Sequence, residues 1–243
     1  MLVDKKFIFL SLPRCASTSF MITCLKNDIL IEHFDSNNDN QLYKIDNWQK
    51  MNNEELADAL THLHEPLTNL QSKFGNEYKV IAIRRNKYER FLSLWKHIID
   101  ELYRENKVEV ANVFSKLTID DIFGNITSNE ISSRENRYKI AENFLDKFQI
   151  LQDEWYIKNM IDILFTPIIE LTNYNSNILW FNINYLDDLD RWVTKKLGRE
   201  FKLEKINSSQ HFECSIIINE EFKQRYDNLF RVFDKRKLEK TLI

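Results

Sequence analysis

The sequence predicts an α/β fold with a mainly parallel sheet, on three observations. Phe7-Ile8-Phe9-Leu10 is a short, wholly apolar run of the kind buried parallel strands show. Tyr78-Lys79-Val80-Ile81-Ala82-Ile83 and Ile178-Leu179-Trp180-Phe181-Asn182-Ile183 read the same way. Each run is followed by a stretch with helical periodicity, and alternation of strands with helices is the mark of this class.

After the first strand, Met21, Cys24, Leu25 and Asp28 stand at helical spacing, and Ile29-Leu30-Ile31 reads as a short strand. A polar, Asn-rich loop covers residues 35–40, and Asn53 to Leu60 reads as a helix with Asn53 as its cap. Leu67, Leu70 and Phe74 predict a further helix closed by Gly75. Beyond the second strand and Arg84-Arg85-Asn86 comes the strongest helix signal. Tyr88, Phe91, Leu92, Trp95, Ile98, Ile99 and Leu102 form one apolar face, with Arg90, Ser93 and His97 on a different, polar one. Asn106 to Asn129 has no clear period. Arg134 to Tyr156 reads as one long helix, and Ile161 to Leu171 as an apolar stretch interrupted by Pro167. Leu186 to Leu197 reads as a helix ended by Gly198, and Phe222 to Phe233 as a last amphipathic helix. With 243 residues and no repeat or linker, the chain reads as a single domain, residues 1–243.

A net charge of −3 gives no support for a nucleic-acid partner, which ordinarily shows a basic surplus. Cys15, Cys24 and Cys214 lack CxxC spacing and fit a reducing compartment rather than a disulfide framework. His62 and His64 have no neighbours spaced for a metal, so no metal is expected. No window approaches the roughly eighteen apolar residues of a membrane span. The first residues run directly into a strand without a signal-peptide pattern, so a cytoplasmic location is the expectation.

The chemistry concentrates in Leu12-Pro13-Arg14-Cys15-Ala16-Ser17-Thr18-Ser19, between the first strand and the first helix. A strand, tight turn and helix aim free backbone N–H groups and the positive end of a helix dipole at one spot. Arg14 adds a charged fork of donors, and Ser17, Thr18 and Ser19 add hydroxyls. A cap needs only one such hydroxyl, so three of them beside an arginine favour an anion. A Walker loop is excluded, because the segment has neither Gly nor Lys. Arg85 stands at the end of the second strand, which in an open parallel sheet is the ligand edge. Two basic junctions suggest a ligand with two separate phosphates. Cys15 reads as a small loop residue, although a thiol at a helix N-terminus can be acidified.

Together these segments resemble the sulfotransferases that use 3′-phosphoadenosine 5′-phosphosulfate (PAPS), in their carbohydrate-type branch. Pro13-Arg14-Cys15-Ala16-Ser17-Thr18-Ser19 resembles the family's 5′-phosphosulfate loop, with Arg where Lys is more common. Arg85-Asn86-Lys87-Tyr88-Glu89-Arg90-Phe91-Leu92-Ser93 resembles its 3′-phosphate motif, R-[DN]-P-x-x-R-x-x-S. Arg85, Arg90 and Ser93 hold the spacing, and Lys87 replaces the proline. His64-Glu65-Pro66-Leu67-Thr68-Asn69-Leu70 resembles an H-x-x-L-x-x-[LI] segment whose His is the usual base. Asn207-Ser208-Ser209 resembles an N-x-S element near the cofactor; Ile178 to Leu189 resembles the late strand and helix, with Asn182 where Glu is common.

The resemblance implies a P-loop-NTPase-like three-layer sandwich and metal-independent, in-line sulfuryl transfer from PAPS to a hydroxyl of a carbohydrate or other small acceptor, releasing 3′,5′-bisphosphoadenosine. It implies Arg14 as a catalytic residue and His64 as general base, with His62 second and Glu32 and His33 as outside candidates. Cofactor contacts fall to Pro13 through Ser19, Arg85, Ser93, Ser208 and Ser209, and acceptor contacts to the region of Arg134 and Arg137. The alternatives are a small-molecule phosphotransferase of kinase type, which the missing Walker lysine disfavours, and a non-catalytic nucleotide-binding protein of the same fold.

Overall fold

The computed structural model describes residues 1–34, 42–43, 50–52, 65–124, 126–147, 154–172, 177–204 and 213–241. In chain order they form β1 (Leu2–Val3), β2 (Phe7–Leu10), α1 (Ser17–Lys26), β3 (Ile31–Phe34), β4 (Leu42–Tyr43), α2 (Leu67–Phe74), β5 (Lys79–Arg84) and α3 (Lys87–Arg104). There follow α4 (Val108–Lys116), α5 (Ile119–Phe123), α6 (Arg134–Lys147), α7 (Glu154–Phe165), α8 (Ile168–Leu171), β6 (Leu179–Asn182), α9 (Leu186–Leu197) and α10 (Glu220–Thr241). The chain is α/β and divides into two compact units. One comprises Met1–Arg85 and Glu170–Ser208, the other Asn86–Ile169 and Ser209–Ile243.

The first unit holds a mixed sheet in the order β4-β3-β1-β2-β5-β6. β2 pairs with β5 and β5 with β6 in parallel, whereas β1 is antiparallel to both β2 and β3, and β4 antiparallel to β3. The expectation of a mainly parallel sheet is therefore corrected. β3, β2, β5 and β6 point the same way, but β1 is wedged between β3 and β2 and turns two contacts antiparallel. A hairpin turn puts it there: Lys6 N–H donates to the Val3 carbonyl at 2.9 Å, and Asp4 and Lys5 take φ of +48° and +52°, the sign that tight hairpin turns need. A two-residue strand is too short to leave a periodic signal, so the sequence did not announce it.

β2 is buried along its whole length. Alternate side chains of one face meet helices: Phe9 stacks on Phe20 of α1 at 3.9 Å between centroids, and Phe7 meets Trp192 of α9 edge-on at 5.1 Å. Phe181 of β6 reaches the same indole at 6.0 Å, and Phe20 touches Phe201 at 5.4 Å. The residues after α9 tie α1 down further: Glu204 N–H donates to Thr23 Oγ1 at 3.0 Å, and Lys26 pairs with Glu204 at 2.8 Å.

The second unit is helical. Its core surrounds α3, where Phe91 lies against Phe123, Phe222 and Tyr226 at 5.2 to 5.8 Å, and Trp95 stacks on Phe114 at 5.2 Å. The aperiodic stretch 106–129 contains α4 and α5, too short for a sustained pattern. Of the single helix expected over Arg134 to Tyr156, α6 and the first turn of α7 are described; residues 148–153 lie outside the described residues. The second short strand is Ile31–Phe34 rather than residues 29–31. The helix expected at Asn53 to Leu60 lies outside the described residues. Among the described residues, no helix is long and apolar enough to cross a membrane.

α5 starts with a capping box. Thr118 Oγ1 accepts the Asp121 N–H at 3.3 Å, and Asp121 Oδ2 accepts the Thr118 N–H at 3.0 Å. The Thr118 backbone bond, then its hydroxyl, hold the Asp121 carboxyl below its ordinary value. Because folding lowers this pKa, the stabilisation is complete well above the unfolded value and fades as pH falls through the folded one. Asp121→Asn should therefore lower the melting temperature at pH 6, with the difference shrinking on acidification to pH 3. A difference independent of pH would contradict this account.

Candidate functional site

The loop from Leu12 to Ser19 connects β2 to α1 within the first unit. Its shape depends on one carbonyl: Leu12 O accepts from Cys15 N–H at 3.2 Å and from Ser17 Oγ at 2.8 Å. Those two bonds close a tight turn and force unusual dihedrals on both sides of Cys15. Arg14 has φ of +60° and Ala16 φ of +58°, and neither is glycine. Each such residue costs about 1–2 kcal/mol, and strain of this kind concentrates at ligand clamps. Alternating backbone hands also turn successive N–H groups into one concavity, which suits an anion.

α1 begins immediately beyond. Its N-cap, Ala16, has no side chain able to cap, so the first-turn N–H groups of Ser17, Thr18 and Ser19 meet no side-chain oxygen there. The hydroxyls divide in role. Ser17 is buried and spends its proton on Leu12, and Ser19 is buried beside the Thr23 hydroxyl, which donates to the Ser19 carbonyl at 2.7 Å. Arg14, Ala16 and Thr18 are the half-exposed members of the loop. Pro13 and Cys15 are buried, so the Cys15 thiol is a packing group and not a presented nucleophile.

Arg85 is brought to the same edge of the same sheet. Leu10 lies opposite Ala82 in the parallel β2–β5 ladder, so the chain leaves both strands side by side, through the loop and through Arg84-Arg85. From β2 the chain continues through α1 to β3 on one side; from β5 it returns as β6 on the other. The crevice between them is a topological switch point, where open α/β sheets bind ligands. Arg85 is half-exposed. The edge extends to β6, where Ile183 N–H donates to the Arg84 carbonyl at 2.9 Å. Asn182 Oδ1 then accepts the Asn184 N–H and its carbonyl the Tyr185 N–H, both at 2.9 Å. This turn places Tyr185, 68% exposed, three residues beyond the end of β6. Sequence reasoning missed Tyr185; its only signal was an aromatic residue directly after a strand.

Of the other expected residues, Ser93 is half-buried on α3 in the second unit. Arg90, expected on a polar face, is 2% exposed and donates to the Thr166 carbonyl at 3.4 Å. Of the two arginines expected near the acceptor, Arg137 is buried with Nε 2.6 Å from Asp162 Oδ1, whereas Arg134 is exposed, with Nε 3.3 Å from Asp162 Oδ2. Glu32 and His33 lie inside β3, not after it. His62, His64, Ser208 and Ser209 lie outside the described residues.

A possible metal set that spacing did not reveal is His97, Asp100 and Glu101 on α3, whose donor atoms lie within 4.8 Å of one another. Arg104 already supplies positive charge there, 3.5 Å from Asp100 and 3.6 Å from Glu101, so the group works as an ion-pair network. No protein-family model, curated protein or solved structure matches this chain.

Ala16→Val tests the loop. A β-branched residue tolerates positive φ poorly, so the variant should lose roughly 1–3 kcal/mol in urea denaturation, whereas Ala16→Gly should be neutral or stabilising. Equal stability of all three proteins would remove the argument from strain.

Proposed function

We propose that this protein is a PAPS-dependent sulfotransferase acting on a hydroxyl of a carbohydrate or other small acceptor. The observation that carries the reading is the paired exit of β2 and β5: a strained, uncapped loop bearing Arg14 next to Arg85, at the switch point of the sheet. One junction suits the phosphosulfate end of the donor and the other its 3′-phosphate. In this reading the sheet and its helices are a variant of the P-loop-like three-layer arrangement, with β1 inserted.

The donor, when bound, supplies an activated sulfuryl group. The N–H groups of the loop and the Arg14 guanidinium hold the bridging phosphate and stabilise the charge that develops on it. Arg85 grips the 3′-phosphate through its planar fork of donors, and Tyr185 offers a ring face to the base. The resemblance assigns Ser93 to the 3′-phosphate, and that assignment rests on motif spacing alone. His64 takes the acceptor's hydroxyl proton at an imidazole nitrogen, a role for which histidine is the commonest side chain. Catalysis of this kind is mostly positioning and charge stabilisation.

Calorimetry with 3′,5′-bisphosphoadenosine and adenosine 5′-monophosphate tests the cofactor assignment. The bisphosphate should bind about tenfold or more tightly, as one extra charge-assisted contact warrants, and Arg85→Ala should erase that preference. Binding of neither nucleotide sinks the proposal, and stabilisation by ATP with Mg²⁺ alone would move the protein to the phosphotransferases. For the base, His64→Ala should lower turnover by about 10²–10⁴-fold while leaving bisphosphate affinity unchanged. Full activity in that variant would pass the role to His62 or Glu32.

A further inference from the structure

Three hydroxyls open α1, and the structure surrounds them differently. Ser17 is 4% exposed, and its Oγ donates to the Leu12 carbonyl at 2.8 Å. Thr18 is half-exposed, and Ser19 is buried. The Leu12 carbonyl also accepts the Cys15 N–H at 3.2 Å, closing a turn with Pro13 second and Arg14 third. Arg14 has φ of +60° there, as the third residue of a type II turn does, and glycine fills that place most easily. Ala16, at φ 58° and ψ 22°, is left-handed again two residues later. Neither side chain holds its own backbone in this region, so the restraint comes from the bonds around it. The Cys15 bond spans Arg14 and stops short of Ala16. The Ser17 bond runs from the first residue of α1 back to Leu12 and so spans both left-handed residues.

We propose that Ser17 is a positioning residue for the anion site: by holding the Leu12 carbonyl it keeps Arg14 and Ala16 left-handed and the N–H groups of the loop turned toward the anion. The proposal rests on the sulfotransferase reading, in which this loop holds the bridging phosphate of the donor. Ser17 touches no ligand in it, because its proton is committed to Leu12. All the residues concerned belong to one loop of the first unit. A carbonyl gripped by two donors cannot swing its oxygen toward an anion without breaking both bonds. Backbone of alternating hand gathers N–H groups into a concavity, and donors already in place stabilise charge without reorganising. A loop free to leave the left-handed region has to be ordered again on binding, and that cost appears as weaker affinity. It falls on whatever anion occupies the loop and spares the contact to the 3′-phosphate.

The experiment compares the full chain with Ser17→Ala, Ser17→Cys and Ser17→Thr. Each is measured for its urea midpoint without ligand and, by calorimetry, for affinity toward 3′,5′-bisphosphoadenosine and adenosine 5′-monophosphate. Ser17→Ala should lower the midpoint and weaken both nucleotides by about three- to tenfold, the scale of one lost hydrogen bond, leaving their ratio unchanged. Ser17→Cys keeps the shape of the side chain but donates poorly. It should follow the alanine variant, and it carries the test if that variant folds poorly. Ser17→Thr, which keeps the hydroxyl, should restore most of the affinity. Parental affinities in the alanine and cysteine variants, with or without a lower midpoint, overturn the positioning role. Weaker binding at a parental midpoint makes Ser17 a direct ligand contact, and a changed ratio places its effect at the 3′-phosphate; either result overturns the role as well. All of these leave the sulfotransferase reading standing. A parent chain that binds neither nucleotide overturns that reading, and this proposal with it.

Discussion

The parallel pairing of β2 with β5 is the constraint on which the candidate site depends. Phe7 to Leu10 lies beside Lys79 to Ala82 in unbroken register. A parallel ladder makes both chains leave the sheet at the same end, so the loop bearing Arg14 and the Arg84-Arg85 pair follow from adjacent strand ends. In an antiparallel pair the same two segments would emerge at opposite ends. The sheet is otherwise mixed, and the inserted β1 alters its far side while leaving this pairing intact.

The loop itself shows how packing holds an unfavourable backbone. Two non-glycine residues at positive φ cost a few kcal/mol together. What offsets them lies next to the loop: the two bonds to the Leu12 carbonyl, the Phe9–Phe20 stack, and the contacts that Glu204 makes to Thr23 and Lys26 of α1. The loop is thereby shaped before any ligand arrives, and preorganised donors stabilise charge without having to reorganise. Acidity in the rest of the chain is no obstacle, because the relevant field is local.

Legibility in the sequence followed the length of each signal. β2, β5, α3 and α9 were readable because four or more apolar residues, or several helical turns, repeat a period. Arg14 and Arg85 stood out because charged residues between a strand and a helix are chemically conspicuous. Arg90 and Arg137 were misread for a single reason: a sequence shows that a residue is charged, not that a buried carboxylate or carbonyl awaits it. Asp162, 25 residues beyond Arg137, is invisible as its partner until α6 and α7 pack together. Ser17 was counted among the anion donors, yet its hydroxyl serves the Leu12 carbonyl.

By itself, the sequence determined the α/β class, the principal strands and helices, and the two basic junctions, since these are set by local periodicity and local chemistry. Tertiary structure alone decided that the sheet is mixed, that two loop residues are left-handed, and that Arg90 and Arg137 are buried. It also revealed that Tyr185 is exposed and that Asp227 meets Lys87 and Tyr88 at the start of α3. All of these depend on contacts between residues far apart in the chain, and no local pattern encodes which distant carbonyl or carboxylate a side chain will meet.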